Sequence, residues 1–525
     1  MSAILRAVLS MSVVNALSRV TGYLRTVVMA AVLGTGVVAN AYAVSNGIAS
    51  LIYELFLGGI LYQIFIPLLV ERMTIHGEED ARRLTNALLT VILPLLTAVA
   101  LLGIVFAEPL VNLATDWTGS EELSVEAAQE TVDLTVFFFR FFVLYIFFLG
   151  LGSVLTGVLN AHRRFFLPTF APVLNNLFAM ACFGGYALLS PRNPEAAVYL
   201  LAAVTFGVAV MALVLIPSAW RLGYRLRPVF GHPALLPAVR LAGPMLVFVA
   251  ASVGVQYVAQ LLSTFFNAAP QLYYAFTVFS LPYGVFVIAI ETAVMPELSE
   301  KHARGDAEGF RDTLSFGLRT MAFIVVPSSV GLIALANPTI GLLYERGNFT
   351  PEDTALVANL LIAYSVGLLA YAGYFLLVRA FYSRQNTKIP ALLNIVLFAF
   401  YAVLAYGLSS IMGVAGVALA YSVASAVFAL IGLAAMRREI RRIDGQRLLR
   451  SLAKILAAGA AMYVVAWGVT ALLGVGSGFL ERVVILTVVG SVSLAVYLGV
   501  AFLLNAEELK SVLALWRRRV TEAEG

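Results

Sequence analysis

An all-α protein that threads a membrane about fourteen times is what this sequence predicts, and three observations carry the expectation. Of its 525 residues, 61% are hydrophobic and 12% are charged, with a mean hydropathy of +0.93; a soluble chain carries roughly twice that charge fraction. Apolar runs of about 20 residues, each able to cross a hydrocarbon core, recur from end to end. Basic residues collect in every second connection between those runs, as the positive-inside rule requires of a multi-pass protein.

The spans read as 8–33, 38–69, 84–107, 133–160, 167–190, 196–220, 240–266, 272–297, 317–344, 353–382, 389–410, 413–436, 451–474 and 482–505. With the N-terminus inside, the cytoplasmic connections carry Arg72, Arg82, Arg83, Arg163, Arg164, Arg221, Arg225, Arg227, Lys301, Arg304, Arg311, Arg384, Lys388 and the run from Arg437 to Arg450. The opposite connections offer Arg192, Arg346 and Arg482, and the 108–132 loop is acidic, with Glu108, Asp116, Glu121, Glu122, Glu126 and Glu130. An odd number of spans breaks this alternation, so both termini are expected in the cytoplasm. The first apolar stretch is too long for a signal peptide, contains arginines and lacks a small-residue cleavage site, so it reads as a retained span.

A weak internal repeat organises the chain. The segment 64–83 resembles 293–312, with Pro67 matching Pro296 and Glu71 matching Glu300, and 155–168 resembles 377–390. The expected layout is a six-helix lobe over 1–220, a cytoplasmic linker at 221–239 and a second six-helix lobe over 240–436. A basic linker at 437–450, two further spans within 451–505 and an interfacial helix over 506–525, anchored by Trp516, follow. Repeated halves around a central site are a common build of alternating-access transporters. Duplication without transport, as in a membrane scaffold, is the plainer alternative.

The first span carries the unusual chemistry. Asn15, Ser18, Arg19, Gly22, Arg25 and Thr26 fall on one helical stripe, with the two arginines on its opposite edges roughly 9 Å apart along the axis. A guanidinium facing lipid at mid-membrane costs at least ~2.5 kcal/mol, so the stripe is expected to face protein or water. Asn40, Gly47, Ser50, Glu54 and Gly58 share a face of the second span, and Tyr273, Thr277, Ser280, Gly284 and Glu291 a face of the eighth. Arg140 and Arg379 complete the intramembrane charges; both also fit a snorkelling position near an interface. The set reads as a hydrated, net positive cavity, and arginine's planar fork suits phosphate oxygens. In the competing reading Arg19 or Arg25 pairs with Glu54 or Glu291 as interhelical glue, and the Ser and Gly positions serve helix packing.

No P-loop, zinc motif, nucleophile elbow or dinucleotide loop is present, so a transporter is expected rather than an enzyme. Cys182 is the single cysteine, and His76, His162, His232 and His302 lie in short connections without metal-ligand spacing. No cofactor or metal is expected, nor a nucleic-acid partner, because the net charge of +5 is spent on loops beside apolar spans. Uphill transport then draws on the membrane potential or on a Na+ or H+ gradient.

"SRVTGYLR" (18–25), "YERGNFTPEDT" (344–354) and "RAFYSRQNTKIP" (379–390) resemble signatures of the MurJ/MviN family of lipid-carrier flippases, and the fourteen-span count is similar to that family. The resemblance covers nearly the whole chain. It implies a V-shaped pair of helical lobes in the bacterial cytoplasmic membrane and, as substrate, lipid II or a related undecaprenyl-diphosphate-linked peptidoglycan precursor, with membrane lipids and cell-wall synthesis proteins as partners. Arg19 and Arg25 match two cavity arginines of the family pattern. That pattern places an Asp where Thr26 stands, an acidic residue at Asn40, a basic pair at Tyr53 and Glu54, a glutamate at Gly58 and an arginine at Thr277. In these departures the chain resembles the divergent branch of Gram-positive, particularly actinobacterial, members. Arg19, Arg25, Asn40, Glu54, Thr277, Glu291 and Arg379 are therefore the candidate substrate-binding residues. Export of another polyprenyl-linked saccharide or of an amphiphilic drug, and a non-transporting cell-wall scaffold, are the alternatives.

Overall fold

The computed structural model describes residues 3–57, 65–117, 119, 123–440, 444–474, 476 and 478–509, and the regular elements among them are helical. Helices α1 (Ala3–Leu33) and α2 (Val37–Leu57) are followed by α3 (Ile66–His76), α4 (Glu78–Val105) and α5 (Ala107–Ala114). Then come α6 (Val125–Phe142) and α7 (Tyr145–Ala161), which form one long span, and α8 (Phe166–Leu189). A second composite span joins α9 (Pro194–Ala202), α10 (Thr205–Leu213) and α11 (Ile216–Arg221). Beyond α12 (Leu235–Phe265), α13 (Ala269–Pro282) passes through a π-helical turn (Tyr283–Val287) into α14 (Ile288–Ala303). The elements that follow are α15 (Ala307–Ala334), α16 (Ala336–Tyr344), α17 (Pro351–Ser365), α18 (Leu368–Ser383), α19 (Lys388–Met412), α20 (Val414–Ile440), α21 (Gly445–Leu473) and α22 (Phe479–Leu503).

Among the described residues, twelve helices or joined helices are long and apolar enough to cross a membrane, and the pair α17–α18, bent by 47°, makes a thirteenth. The remaining expected span, 38–69, contains α2, which is not among these, and runs on through 58–64, outside the described residues. The interfacial helix expected around Trp516 also lies outside them, as do Glu121, Glu122, Arg441 and Arg442.

The chain divides into two compact units, Met1–Pro270 with Arg346–Thr350, and Gln271–Glu345 with Pro351–Gly525. In the first, Tyr42 of α2 packs edge-on against Phe138 and Phe142 of α6 and Phe183 of α8. Glycines let the helices close: Gly157 of α7 faces Phe65, and Gly152 faces Ala212 of α10. Helix α12, which the sequence repeat places at the start of the second lobe, is part of this first unit. Polar contacts hold it there: Gln256 Nε2 donates to Glu54 Oε2 at 2.9 Å, the Tyr257 hydroxyl to the Leu113 carbonyl, and the Asp116 amide to Thr264 Oγ1 at 2.9 Å. The stretch before α12 is tied to α4 by Val229 N donating to Thr90 Oγ1 (3.0 Å) and by His232 Nε2 against Asp80 Oδ1 (3.2 Å).

Residues 346–350 join the first unit although they follow α16 in sequence. The Asn348 amide donates to the Ala31 carbonyl at 2.8 Å, and its Nδ2 to the Val32 carbonyl at 2.6 Å. Two glycines make the fit possible. Gly347 (φ 62°) and Gly34 (φ 63°) both occupy the left-handed region, and a Cβ on either would collide with backbone atoms of Ala31 or Asn348.

In the second unit, tyrosines and phenylalanines of α13, α17, α18 and α20 interlock, with Phe279 and Tyr421 each in ring contact with Tyr364, Tyr371 and one another. The α17–α18 bend is satisfied by Ser422 of α20, whose hydroxyl reaches the Ala363 and Tyr364 carbonyls and accepts from Gly367 N at 3.1 Å. Helices α21 and α22 dock on α15 through Ile455, Ala458 and Met462 against Phe323 and Val326. The Tyr497 hydroxyl adds a 2.8 Å bond to the Phe323 carbonyl.

Candidate functional site

In the first unit, α1 lies along α8, where Asn176 Nδ2 donates to Thr21 Oγ1 at 3.2 Å and to the Ser18 carbonyl at 3.4 Å. The Ser18 and Gly22 side of the predicted stripe thus packs on protein, with Gly22 facing Asn176. Arg19 is exposed and Arg25 half-buried. Within this unit neither guanidinium is in ion-pair reach of Glu54 among the described residues, which removes that form of the glue reading. Thr26, in the position the family pattern gives to Asp, is buried and returns its hydroxyl to the Gly22 carbonyl of its own helix at 3.2 Å.

The polar face of α2 serves three tasks. Asn40 is fully buried, and its Nδ2 donates to the Thr35 and Gly36 carbonyls at 3.0 and 3.3 Å, so it braces the α1–α2 turn. Gly47 opens a slot for Gln260 of α12. Ser50 Oγ lies 2.9 Å from the Tyr145 hydroxyl, which also donates to the Asn46 carbonyl at 3.0 Å. The charges of Arg25 and Glu54 both reach that hydroxyl, so α1, α2 and α7 bring Arg25, Ser50, Glu54 and Tyr145 together. Glu54 in turn accepts the Gln256 bond from α12. Gly58 lies outside the described residues.

In the second unit, Thr277 returns its hydroxyl to the Tyr273 carbonyl at 2.8 Å, and Ser280 does the same to Thr277 at 2.9 Å. Beyond Pro282 the π turn widens the helix and shifts its register, a feature that recurs at functional sites. The Tyr283 hydroxyl reaches Glu291 Oε1 at 3.3 Å, and Arg379 Nε of α18 lies 3.4 Å from Oε2. Glu291 is 2% exposed, while the Arg379 side chain is 43% exposed. A buried carboxylate therefore tethers a cation whose remaining donors are open.

Sequence reasoning named Arg25, Glu54, Glu291 and Arg379 and missed Gln256, which holds Glu54, Tyr283, which reaches Glu291, and Tyr145, which bonds Ser50 beside them. Tyr283 carried a signal, standing between Pro282 and Gly284 in a predicted span; Tyr145 and Gln256 carried none. No three His, Cys, Asp or Glu side chains come together as a metal-ligand set among the described residues.

A family model described as lipid II flippase MurJ matches residues 29–487. A probable lipid II flippase MurJ of Vibrio cholerae is 29% identical over 519 residues, covering 96% of each chain. Lipid II flippase MurJ of Burkholderia cenocepacia is 27% identical over 83% of this chain and 84% of its own. A solved lipid II flippase MurJ in an inward closed conformation superposes with a TM-score of 0.73 at 24% identity, over 93% of this chain and 98% of that one. An inward-facing multidrug resistance MATE transporter of the MOP superfamily has the same fold at a TM-score of 0.59 and 15% identity, over 82% and 94%.

Proposed function

The chain belongs to the lipid II flippase MurJ family, and from that premise we propose that it carries lipid II from the cytoplasmic to the outer leaflet of the bacterial inner membrane by alternating access. The observation that supports this most is the pair Arg19 and Arg25 on one transmembrane helix, neither of them neutralised by Glu54 of the same unit. Intramembrane cations with no ion-pair partner among the described residues suit a ligand that brings its own anion. The diphosphate of a polyprenyl-linked sugar supplies adjacent oxygens for two guanidinium forks.

The remaining candidates take supporting roles in this reading. Arg379, tethered by Glu291, adds a third cation, and Glu54 on its Gln256 hydrogen bond offers an acceptor for sugar hydroxyls. Asn40 and Thr277, engaged with backbone carbonyls, act through helix shape. Both termini lie in the cytoplasm, and the membrane potential or an ion gradient drives the cycle, since no nucleotide motif is present in the sequence.

Binding by the purified protein tests the grip. Lipid II and an uncharged polyprenol-linked disaccharide are titrated against wild type, Arg19→Ala and Arg25→Ala. Each substitution is expected to weaken lipid II binding about tenfold or more while leaving the uncharged lipid unaffected. Equal binding of both lipids by wild type would point to a substrate recognised without its diphosphate.

A further inference from the structure

In the second unit, the start of α21, the residues that follow α22 and Arg319 of α15 line a cavity of about 410 Å³. Its wall is built from both signs of charge: Arg319, Arg447, Arg450 and Lys454 against Asp444, Glu507 and Glu508. Part of this set is internally paired. Arg319 Nη1 lies 2.9 Å from Glu507 Oε2 and 3.0 Å from Glu508 Oε1, Arg447 Nη2 lies 2.6 Å from Glu507 Oε2, and Ser451 Oγ donates to Glu508 Oε1 at 2.8 Å.

The pairing is incomplete. Arg319 and Glu508 have side chains only 7% and 4% exposed, yet Arg319 Nε and Glu508 Oε2 have no hydrogen-bond partner among the described residues. Burying a donor and an acceptor unmet is costly unless something else meets them. Arg447, Arg450 and Lys454 follow the i, i+3, i+7 spacing, so they share one face of the first turns of α21, whose leading backbone amides also favour an anion. Lys454 spends one donor on the Asn505 carbonyl at 3.1 Å and keeps two. Asp444 precedes the helix without a side-chain capping bond.

We propose that this cavity binds the headgroup of an aminophospholipid, with the phosphodiester on Arg450, Lys454 and the α21 terminus and the primary ammonium on Glu508 and Asp444. A purely anionic headgroup would meet three carboxylates, and a cation four basic side chains; a zwitterion meets both. A quaternary ammonium has no N–H to give to Glu508, so a choline headgroup fits less well. The cavity volume lies within the usual range for small-ligand sites. Exposed Phe502 and Leu503 precede Asn505, the residue whose carbonyl Lys454 reaches, and offer an apolar surface for acyl chains, which favours a membrane lipid over a soluble phosphoester. The site is separate from the residues proposed to grip the transported lipid, so it stands or falls independently of that reading.

Native mass spectrometry of the delipidated full chain, offered equal amounts of phosphatidylethanolamine, phosphatidylcholine and phosphatidylglycerol, tests the proposal. Wild type is expected to retain the ethanolamine lipid about tenfold over the other two, and Arg450→Gln with Lys454→Gln is expected to abolish that preference. Arg450→Gln alone, which leaves the Lys454–Asn505 bond intact, and Asp444→Asn are each expected to reduce it with an unchanged melting temperature. Soluble phosphoethanolamine at the same concentration is expected not to displace the lipid. Equal retention of the three lipids, preference for phosphatidylglycerol, insensitivity to the double substitution, or full displacement by soluble phosphoethanolamine would each overturn the proposal.

Discussion

Glu291 of α14 and Arg379 of α18 meet at 3.4 Å, with the carboxylate 2% exposed and the guanidinium side chain 43% exposed. The inequality of burial makes the pair asymmetric. Removing Arg379 leaves a buried carboxylate supported by Tyr283, whereas removing the charge of Glu291 leaves an arginine that can turn to water.

Arg379→Ala is therefore expected to destabilise the protein by about 3 kcal/mol, and Glu291→Gln by about 1 kcal/mol or less. The double substitution is expected to recover most of the Arg379→Ala loss. Thermal unfolding of the four proteins in one detergent checks this, and additive losses would contradict it.

The glycines of the 346–350 segment make a second case. Gly347→Ala puts a side chain on a left-handed backbone and against Ala31. It is expected to cost about 2 kcal/mol or more, read as a lowered melting temperature. Gly468→Ala, where nothing lies within 4 Å of the added carbon, is the control and is expected to be neutral or stabilising.

Arg482 near the start of α22 donates from Nη2 to Glu345 Oε1 at 2.7 Å and from Nε to the Gly476 carbonyl at 3.1 Å, while Glu345 Oε2 accepts from Thr354 at 2.8 Å. Two directed donors are needed, so Arg482→Lys is expected to recover little of the stability that Arg482→Ala loses. Both variants are expected to expose the 474–478 region to proteolysis. Full rescue by lysine would reduce the contact to simple charge.

Hydrogen bonds from Arg447 and then Arg319 hold the Glu507 carboxyl below the ordinary carboxylate range. Its stabilising contribution is present above the unfolded pKa of about 4.3 and is lost as pH falls through the lower folded value. Melting temperature is thus expected to hold from neutral pH to about 5 and then drop, and Glu507→Gln is expected to lower the neutral-pH melting temperature and to shallow that acid limb. An identical acid limb in the variant would contradict the assignment.

The helical class and the span count were legible because bilayer thickness imprints them on runs of local sequence. Intramembrane charges were legible for the same reason: Arg25, Glu54, Glu291 and Arg379 interrupt apolar segments. Their partners were not. Glu291 and Arg379 are 88 positions apart in the chain, and their meeting depends on the register shift at Tyr283–Val287, which residue spacing on an ideal helix cannot supply. Asn40 looked like a cavity residue because it shares a face with Glu54, yet a short amide near a helix start meets adjacent carbonyls first. The place of α12 in the first unit follows from Gln256, Tyr257 and Thr264, polar residues whose partners lie more than a hundred positions away in the chain.

The most direct test of flipping is the leaflet distribution of lipid II in host cells depleted of this protein and complemented with wild type, Arg19→Ala or Arg25→Ala. Depletion is expected to trap lipid II in the inner leaflet, wild type to restore its export, and each expressed arginine variant to fail. Unchanged export after depletion, in cells shown to lack a second lipid II flippase, would contradict the assignment of lipid II as substrate.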